Sequence, residues 1–331
     1  MMRYSQAEKM EIIRLVEASD LSIRQTLREL DIPGSTFYRW YQRYQTDGYD
    51  GLADRSHSAH RFWNKIPQQV RDELVDMALA EPEKSPRQLA WHFTDEHEYY
   101  ISESSVYRIL KQYDLITSPV YQMVPAADKF EQPTRRVNEL WQTDFTYLKV
   151  VGWGWYYLCT VLDDYSRYIL AWRSAPTMAA TDVQQTLDLA FAQTNLTHIK
   201  VRHRPRLLSD NGPAFIADDL KTFLNHYQLE HIRSAPFHPM TQGKIERFHR
   251  SMKNVIKLEN YYLPWHLEQA IKEFIEYYNY QRYHESLGNV TPADMYFGRA
   301  AQIQARREQI KEKTMRERRR LNRQETASLL L

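Results

Sequence analysis

The chain has 331 residues, 43% hydrophobic and 26% charged, with 9 glycines and 14 prolines; that composition excludes fibrous and wholly disordered chains and leaves room for two or three domains. Forty-four Lys and Arg against 42 Asp and Glu give a formal charge of only +2, so the average neither demands nor excludes a polyanionic partner. A single cysteine, Cys159, within the apolar run Trp155 to Leu162, excludes an intrachain disulfide and a zinc site of the two-His, two-Cys kind, and reads as a small core residue in a reducing compartment.

From the N-terminus, Ser5 to Ala18 has the period of an amphipathic helix, with Met10, Ile13, Leu15 and Val16 on one side. A second helix spans about Ser22 to Leu30, the turn Asp31-Ile32-Pro33-Gly34 closes it, and Ser35 is placed as N-cap of a third helix, Thr36 to Tyr44. Helix, short turn, helix is the helix-turn-helix pattern, in which the N-terminal turn of the last helix points at base edges and phosphates. Ser35, Thr36, Tyr38, Arg39 and Arg43 are therefore candidate DNA contacts, while Phe37 and Trp40, at i and i+3, pack inward. A helical trio without DNA binding is the alternative, but hydroxyl and guanidinium groups at this helix start are what phosphate and base contacts need. Residues 1–50 form this domain, and the turn-rich stretch 51–66 reads as a linker.

The pattern recurs over 67–116, a winged-helix-like second helix-turn-helix domain. A helix from Gln68 to Leu79 is followed by Ser85 capping Pro86 to Phe93, then a recognition-like helix from Ile101 to Lys111. Its candidate DNA contacts are Ser104, Ser105, Tyr107 and Arg108. Residues 117–136, with Pro119, Pro125 and Pro133, form a second linker.

At Leu140 the period changes from helix to strand. Leu140 to Leu148, Trp155 to Leu162 and Tyr168 to Trp172 are three strands joined by short turns, hence an antiparallel meander. A helix (Ala179 to Thr194), a strand (Arg206 to Ser209), a helix (Phe215 to Tyr227), a strand (His231 to Arg233) and a long helix (Gly243 to about Leu258) follow. That order is the α/β ribonuclease-H-like core with a mixed five-stranded sheet, over 137–262, preceded by all-α tandem helix-turn-helix domains and followed by C-terminal helices over 263–331. Asp144 lies within the first strand, Asp210 at the end of a later one and Glu246 one turn into a helix. Three carboxylates from separate elements offer the all-oxygen donor set that hard divalent cations take, and two such ions can clamp an in-line phosphoryl displacement. Singly, each acid has an ordinary explanation as a turn former or helix-start residue.

Three segments carry a resemblance: Trp141-Gln142-Thr143-Asp144-Phe145-Thr146, Ser209-Asp210-Asn211-Gly212-Pro213-Ala214-Phe215, and His238 to Arg250 with Glu246 at its centre. The chain resembles the DDE transposases of bacterial insertion sequences and their relatives, the retroviral integrases. Thirty-five residues separate Asp210 from Glu246, the spacing typical of that superfamily. The likeness is close over about Asn138 to Gly298 and looser upstream. It implies a Mg²⁺-dependent polynucleotidyl transferase with catalytic, metal-holding Asp144, Asp210 and Glu246, two Mg²⁺ ions and Mn²⁺ as a substitute. It further implies double-stranded DNA partners, namely terminal inverted repeats and target, and a homo-oligomer, dimer or tetramer, on paired ends. Lys253 stands where the family keeps a basic residue for the element end, and Arg250 shares that helical face; Gln242 and Lys244 beside the third acid complete the candidate DNA contacts. The missing zinc-binding N-terminal domain favours the insertion-sequence branch over retroviral integrases.

Asp163 and Asp164 are adjacent, so a strand would point them to opposite faces, and turn chemistry suits them better than a metal pair. His238 and His249 flank Glu246 without a decisive role, and Gln242-Gly243 reads as a hinge before the helix. Between Ala301 and Arg323 nine Lys and Arg face three Glu, a basic helix that favours DNA backbone or a partner subunit. No window approaches the roughly 18 apolar residues of a membrane span and no signal pattern opens the chain, so a cytoplasmic, nucleoid-associated protein without a membrane partner is expected. A nuclease on the same fold, without strand transfer, and a DNA-binding regulator remain the alternatives.

Overall fold

The structure, a computed structural model, describes residues 4–19, 21–53, 63–116, 134–196, 204–233 and 243–328. The chain divides into two compact units, Met1–Lys65 with Asn322–Leu331, and Ile66–Leu321.

In the first unit α1 (Gln6–Ala18), α2 (Ile23–Glu29) and α3 (Gly34–Asp47) lead into a 3-10 turn, Gly48–Leu52. Ser5 caps α1 through a reciprocal pair with Glu8. Ile13, Val16, Leu27, Phe37, Trp40 and Leu52 form the core, so Phe37 and Trp40 face inward as expected. Two expectations fail. Leu15 is exposed, its place taken by Ile12, and Ser35 is not a cap. Pro33, already at φ −61°, accepts the N–H groups of Thr36 and Phe37 through its carbonyl, so α3 starts at Gly34 and Ser35 lies inside its first turn. The expected boundary at residue 50 also cuts through packed structure. An added Cβ on Gly51 would stand 2.4 Å from the Arg43 carbonyl oxygen, and Leu52 is buried in the core.

The second unit begins with α4 (Gln68–Ala80), α5 (Pro86–His97) and α6 (Glu103–Gln112). Ser85 caps α5, with Pro86 at its first position, and Ser102 caps α6, which starts two residues later than Ile101. Leu74, Leu89, Phe93, Val106, Ile109 and Leu110 close this small core.

The catalytic-type core follows as β1 (Leu140–Val150), β2 (Gly154–Asp163), β3 (Ile169–Ala175), α7 (Ala180–Thr194), β4 (Arg206–Ser209), α8 (Pro213–Ile216), α9 (Asp218–His226), β5 (His231–Arg233) and α10 (Gly243–Ile256). The single helix expected over Phe215 to Tyr227 is split, because Ala217 is extended and opens α9 afresh. The five strands order as β3-β2-β1-β4-β5, antiparallel among the first three and parallel from β1 to β4 to β5. This mixed sheet is the ribonuclease-H-like arrangement. Alternating strand residues feed two cores. Cys159 and Val161 pack with Val183, Leu187 and Phe191 of α7, whereas Leu158 and Leu162 pack with Phe248 and Met252 of α10 and with α11 (Pro264–Tyr280). Cys159 is a core residue, as expected, and burial pushes its thiol up to about 12.

After α12 (Pro292–Tyr296), the long α13 (Ala300–Ser328) turns part of its basic surface onto protein. Arg307 is buried, donates to both Asp95 carboxylate oxygens at 2.8 and 2.6 Å and lies over the Trp91 ring. Arg318 donates to the Tyr100 carbonyl and the Tyr99 hydroxyl, and Arg306 pairs with Glu98. Those three cations therefore hold α13 against α5 and the loop after it, which leaves the rest of the basic run for the DNA backbone or partner subunit expected of it. No helix among the described residues is long and apolar enough to cross a membrane.

Candidate active site

The first two acids are set by strand register. On the parallel pair Gln142 stands level with Leu208, the last pair of the ladder; Asp144 follows two residues later within β1 and Asp210 two residues later just past the end of β4. Neighbouring strands run about 4.8 Å apart, so Asp144, inside β1, stands beside the place where the chain leaves β4 at Asp210. Asp144 Oδ1 accepts its neighbour Phe145 N–H at 2.8 Å. Asp210 Oδ1 accepts Gly212 N–H at 2.9 Å, an Asx turn that holds the chain as it leaves the sheet.

The third acid comes from α10, which packs on β1 and runs in its direction, advancing about one turn for every two strand residues. Four contacts fix it. Lys244 Nζ donates to the carboxylate and the carbonyl oxygen of Asp164, both at 2.7 Å. Ile245 N–H donates to Gln142 Oε1 at 3.1 Å. His249 lies between Thr160 and Asp144. Lys253 Nζ sits 4.4 Å from the centre of the Tyr147 ring. Glu246, on the turn between the first two anchors and His249, is exposed.

Among the described residues no three His, Cys, Asp or Glu side chains form a ready metal cage, so the acids do not close on a point. Their chemistry nevertheless fits a hard divalent cation: the donors are all oxygen, and Asp144 and Asp210 arise from the paired strands β1 and β4. Burial lowers the pKa of Lys253, helped by Lys257, while Asp144 opposes the shift.

Of the other expected contacts, Tyr38 and Arg39 are exposed on α3 with Ser35, and Thr36 and Arg43 are half-buried. On α6, Tyr107 and Arg108 are exposed, while Ser105 hydrogen-bonds Ser102 and Arg108. The Ser104 carbonyl also accepts Arg108 Nε at 3.0 Å, so the two serines serve the start of their own helix. Gln242 and His238 lie outside the described residues, as does most of the hinge. Lys244 is engaged with Asp164 rather than displayed toward a ligand, and Arg250 is exposed one turn beyond Glu246. Asp163 behaves as a turn residue, accepting both the N–H and the hydroxyl of Ser166. Asp164 does more, since it is buried and receives Thr134, Gln142 and Lys244. Gln142 and Thr160 were not singled out from sequence. The signal for Gln142 is a polar residue two positions before Asp144, on the same face of the strand.

An integrase core domain matches residues 134–239, and a second integrase core model matches 227–292. Homeodomain-like domains match 3–53 and 36–110. The chain is thus similar to integrase core domains over 134–292 and to homeodomain-like domains upstream of them. It is similar to the putative transposase InsK for insertion sequence element IS150 of Escherichia coli (strain K12), at 23% identity over 81% of this chain and 91% of that protein. It is 32% identical over 39% of its length to the Gag-Pro-Pol polyprotein of Mouse mammary tumor virus (strain BR6), of which it spans only 7%. The HTLV-2 integrase catalytic core domain in complex with magnesium aligns at 20% identity over 49% of this chain and 97% of that one, with a TM-score of 0.39.

Proposed function

We propose that the chain is a DDE transposase of the insertion-sequence type, which binds terminal inverted repeats, cleaves DNA at the element ends and joins the 3′-hydroxyl to target DNA. The observation that supports this reading is the parallel pairing of β1, which carries Asp144, with β4, which leads into Asp210, and the hydrogen bond that anchors the helix bearing Glu246 on β1. Asp144, Asp210 and Glu246 are the residues that would hold two Mg²⁺, with Mn²⁺ as a substitute. Bound there, the ions supply Lewis-acid activation of the attacking oxygen and charge neutralisation at the transferring phosphate. The chain's own part is placement. The strands set the two aspartates, α10 sets the glutamate, and Lys253 and Arg250 face the DNA backbone from the same helix.

The two helix-turn-helix domains read a bipartite end, through Tyr38 and Arg39 on α3 and Tyr107 and Arg108 on α6. Paired ends require at least two copies, so a dimer or tetramer is the working form, and a cytoplasmic location beside the DNA follows from the substrate. Asp144→Asn, Asp210→Asn and Glu246→Gln should each abolish cleavage and joining on inverted-repeat DNA while retaining its binding in a gel-shift assay. Full activity in any one of them would overturn the assignment. Joined products on a supercoiled target separate transposition from simple hydrolysis.

A further inference from the structure

We infer that His249 is a positioning residue, which locks the helix carrying Glu246 to the strand carrying Asp144 and sets the orientation of that carboxylate. This rests on the triad reading above. Asp144 and Thr160 are cross-strand partners of β1 and β2, and the His249 imidazole spans this pair. Its Nε2 lies 2.8 Å from Thr160 Oγ1 and its Nδ1 lies 3.4 Å from Asp144 Oδ2. The Thr160 contact is a hydrogen bond, while the Asp144 contact is a longer polar approach that sets one edge of the imidazole against the carboxylate. With Phe145 N–H on Oδ1, each oxygen of Asp144 faces a different protein group. The carboxylate remains 19% exposed, which leaves it a face open to solvent and to a ligand.

His249 is itself buried, at 5%. Its neighbours on the inner face of α10, Ile245, Phe248 and Met252, are apolar. Apolar contacts resist separation of helix and sheet but are non-directional, and the hydrogen bonds of Lys244 and Ile245 hold the first turn of α10, so beyond that turn sliding and rotation are opposed mainly by polar contacts such as those of His249. A hydrogen-bonding ring across two strands opposes both. Glu246 lies three residues before His249, about 4.5 Å along the axis, so fixing the imidazole fixes where the glutamate leaves the helix. Polar groups behind a metal ligand orient it, and their loss costs about 10- to 100-fold in metal affinity or activity.

The test uses the full chain and three substitutions. Asn places an amide where Nδ1 stands and keeps the Asp144 contact. Gln reaches the Nε2 position and keeps Thr160 instead. Leu keeps only the packing. His249→Gln and His249→Leu should raise the Mn²⁺ concentration for half-saturation, read by calorimetry with the metal alone, by about 10-fold or more. Strand joining should fall by about 10- to 100-fold in kcat, with KM for DNA unchanged. His249→Asn should recover at least half of both losses on a logarithmic scale. Equal behaviour of the Asn and Gln variants, or wild-type Mn²⁺ binding by His249→Leu, would reduce His249 to core filler and overturn the inference. Thermal unfolding checks each variant, and Thr160→Val, which removes the Nε2 partner without touching α10, should reproduce a smaller part of the effect. Activity in Asp144→Asn would instead refute the triad itself, so the two failures are distinguishable.

Discussion

Removing the Asp164 carboxylate should loosen the start of α10 and, through it, Glu246. The carboxylate is 2% exposed and pairs with Lys244 at 2.7 Å, while Gln142 Nε2 donates at 2.7 Å and the Thr134 hydroxyl at 2.5 Å. Breaking a buried pair by deleting one member costs about 3–5 kcal/mol, because a charge and its donors are stranded. Lys244 keeps 23% exposure and the Asp164 carbonyl at 2.7 Å, which places Asp164→Ala near the lower end, about 3 kcal/mol. At about 2–4 °C per kcal/mol for a unit of this size, the melting transition should drop by about 6–12 °C. Asp164→Asn, which keeps shape and one acceptor, should lose about half as much. Circular dichroism melts of both variants, and a double-mutant cycle with Lys244→Met, give the stability and the pair coupling, expected at about 1–3 kcal/mol. Strand joining should fall with Asp164→Ala, since Glu246 is two residues beyond Lys244. A Tm shift under about 2 °C with joining intact would show that the start of α10 is held by other contacts.

Acid should destabilise the fold through His284. Burial, then Arg282 and Arg167, lowers its pKa from 6.5 to about 3, and its Nε2 has no hydrogen-bond partner among the described residues. The unfolded chain takes up a proton below pH 6.5 that the folded state refuses, so the stability is full above that pH and is lost as pH falls toward 3. The slope is about 1.4 kcal/mol per pH unit for one proton, and His284→Leu should flatten it in urea melts taken from pH 7 to 4.5; an unchanged slope would assign the acid sensitivity to other groups. Arg307→Lys keeps the charge but not the planar fork that reaches both Asp95 oxygens and the Asn289 carbonyl, so about 2 kcal/mol should be lost, with faster proteolysis of α13. Gly51→Ala drives a methyl against the Arg43 carbonyl at 2.4 Å and should cost the N-terminal unit about 1–3 kcal/mol, measured by its amide exchange.

Local chemistry made much of the fold legible. Helix positions followed from period and from the Ser85 cap, and the strands from runs of aromatic and β-branched residues, because both signals act within a few residues. Where two local signals competed, the reading slipped. Pro33 and Ser35 both suit a helix start, and the proline carbonyl took the role. The three acids could be picked out by type and spacing, yet nothing in the linear order states their level on the sheet.

What the sequence by itself determined is the set of elements and the residues able to do the chemistry. Tertiary structure decided which of them meet. Gln142 and Ile245 are 103 residues apart, Thr160 and His249 are 89 apart, and Lys244 turned from a candidate DNA contact into the partner of Asp164. The reason is physical: period and capping report each residue's own neighbourhood. Hydrogen bonds that dock a helix on a strand depend on register and packing, which exist only once the sheet has formed.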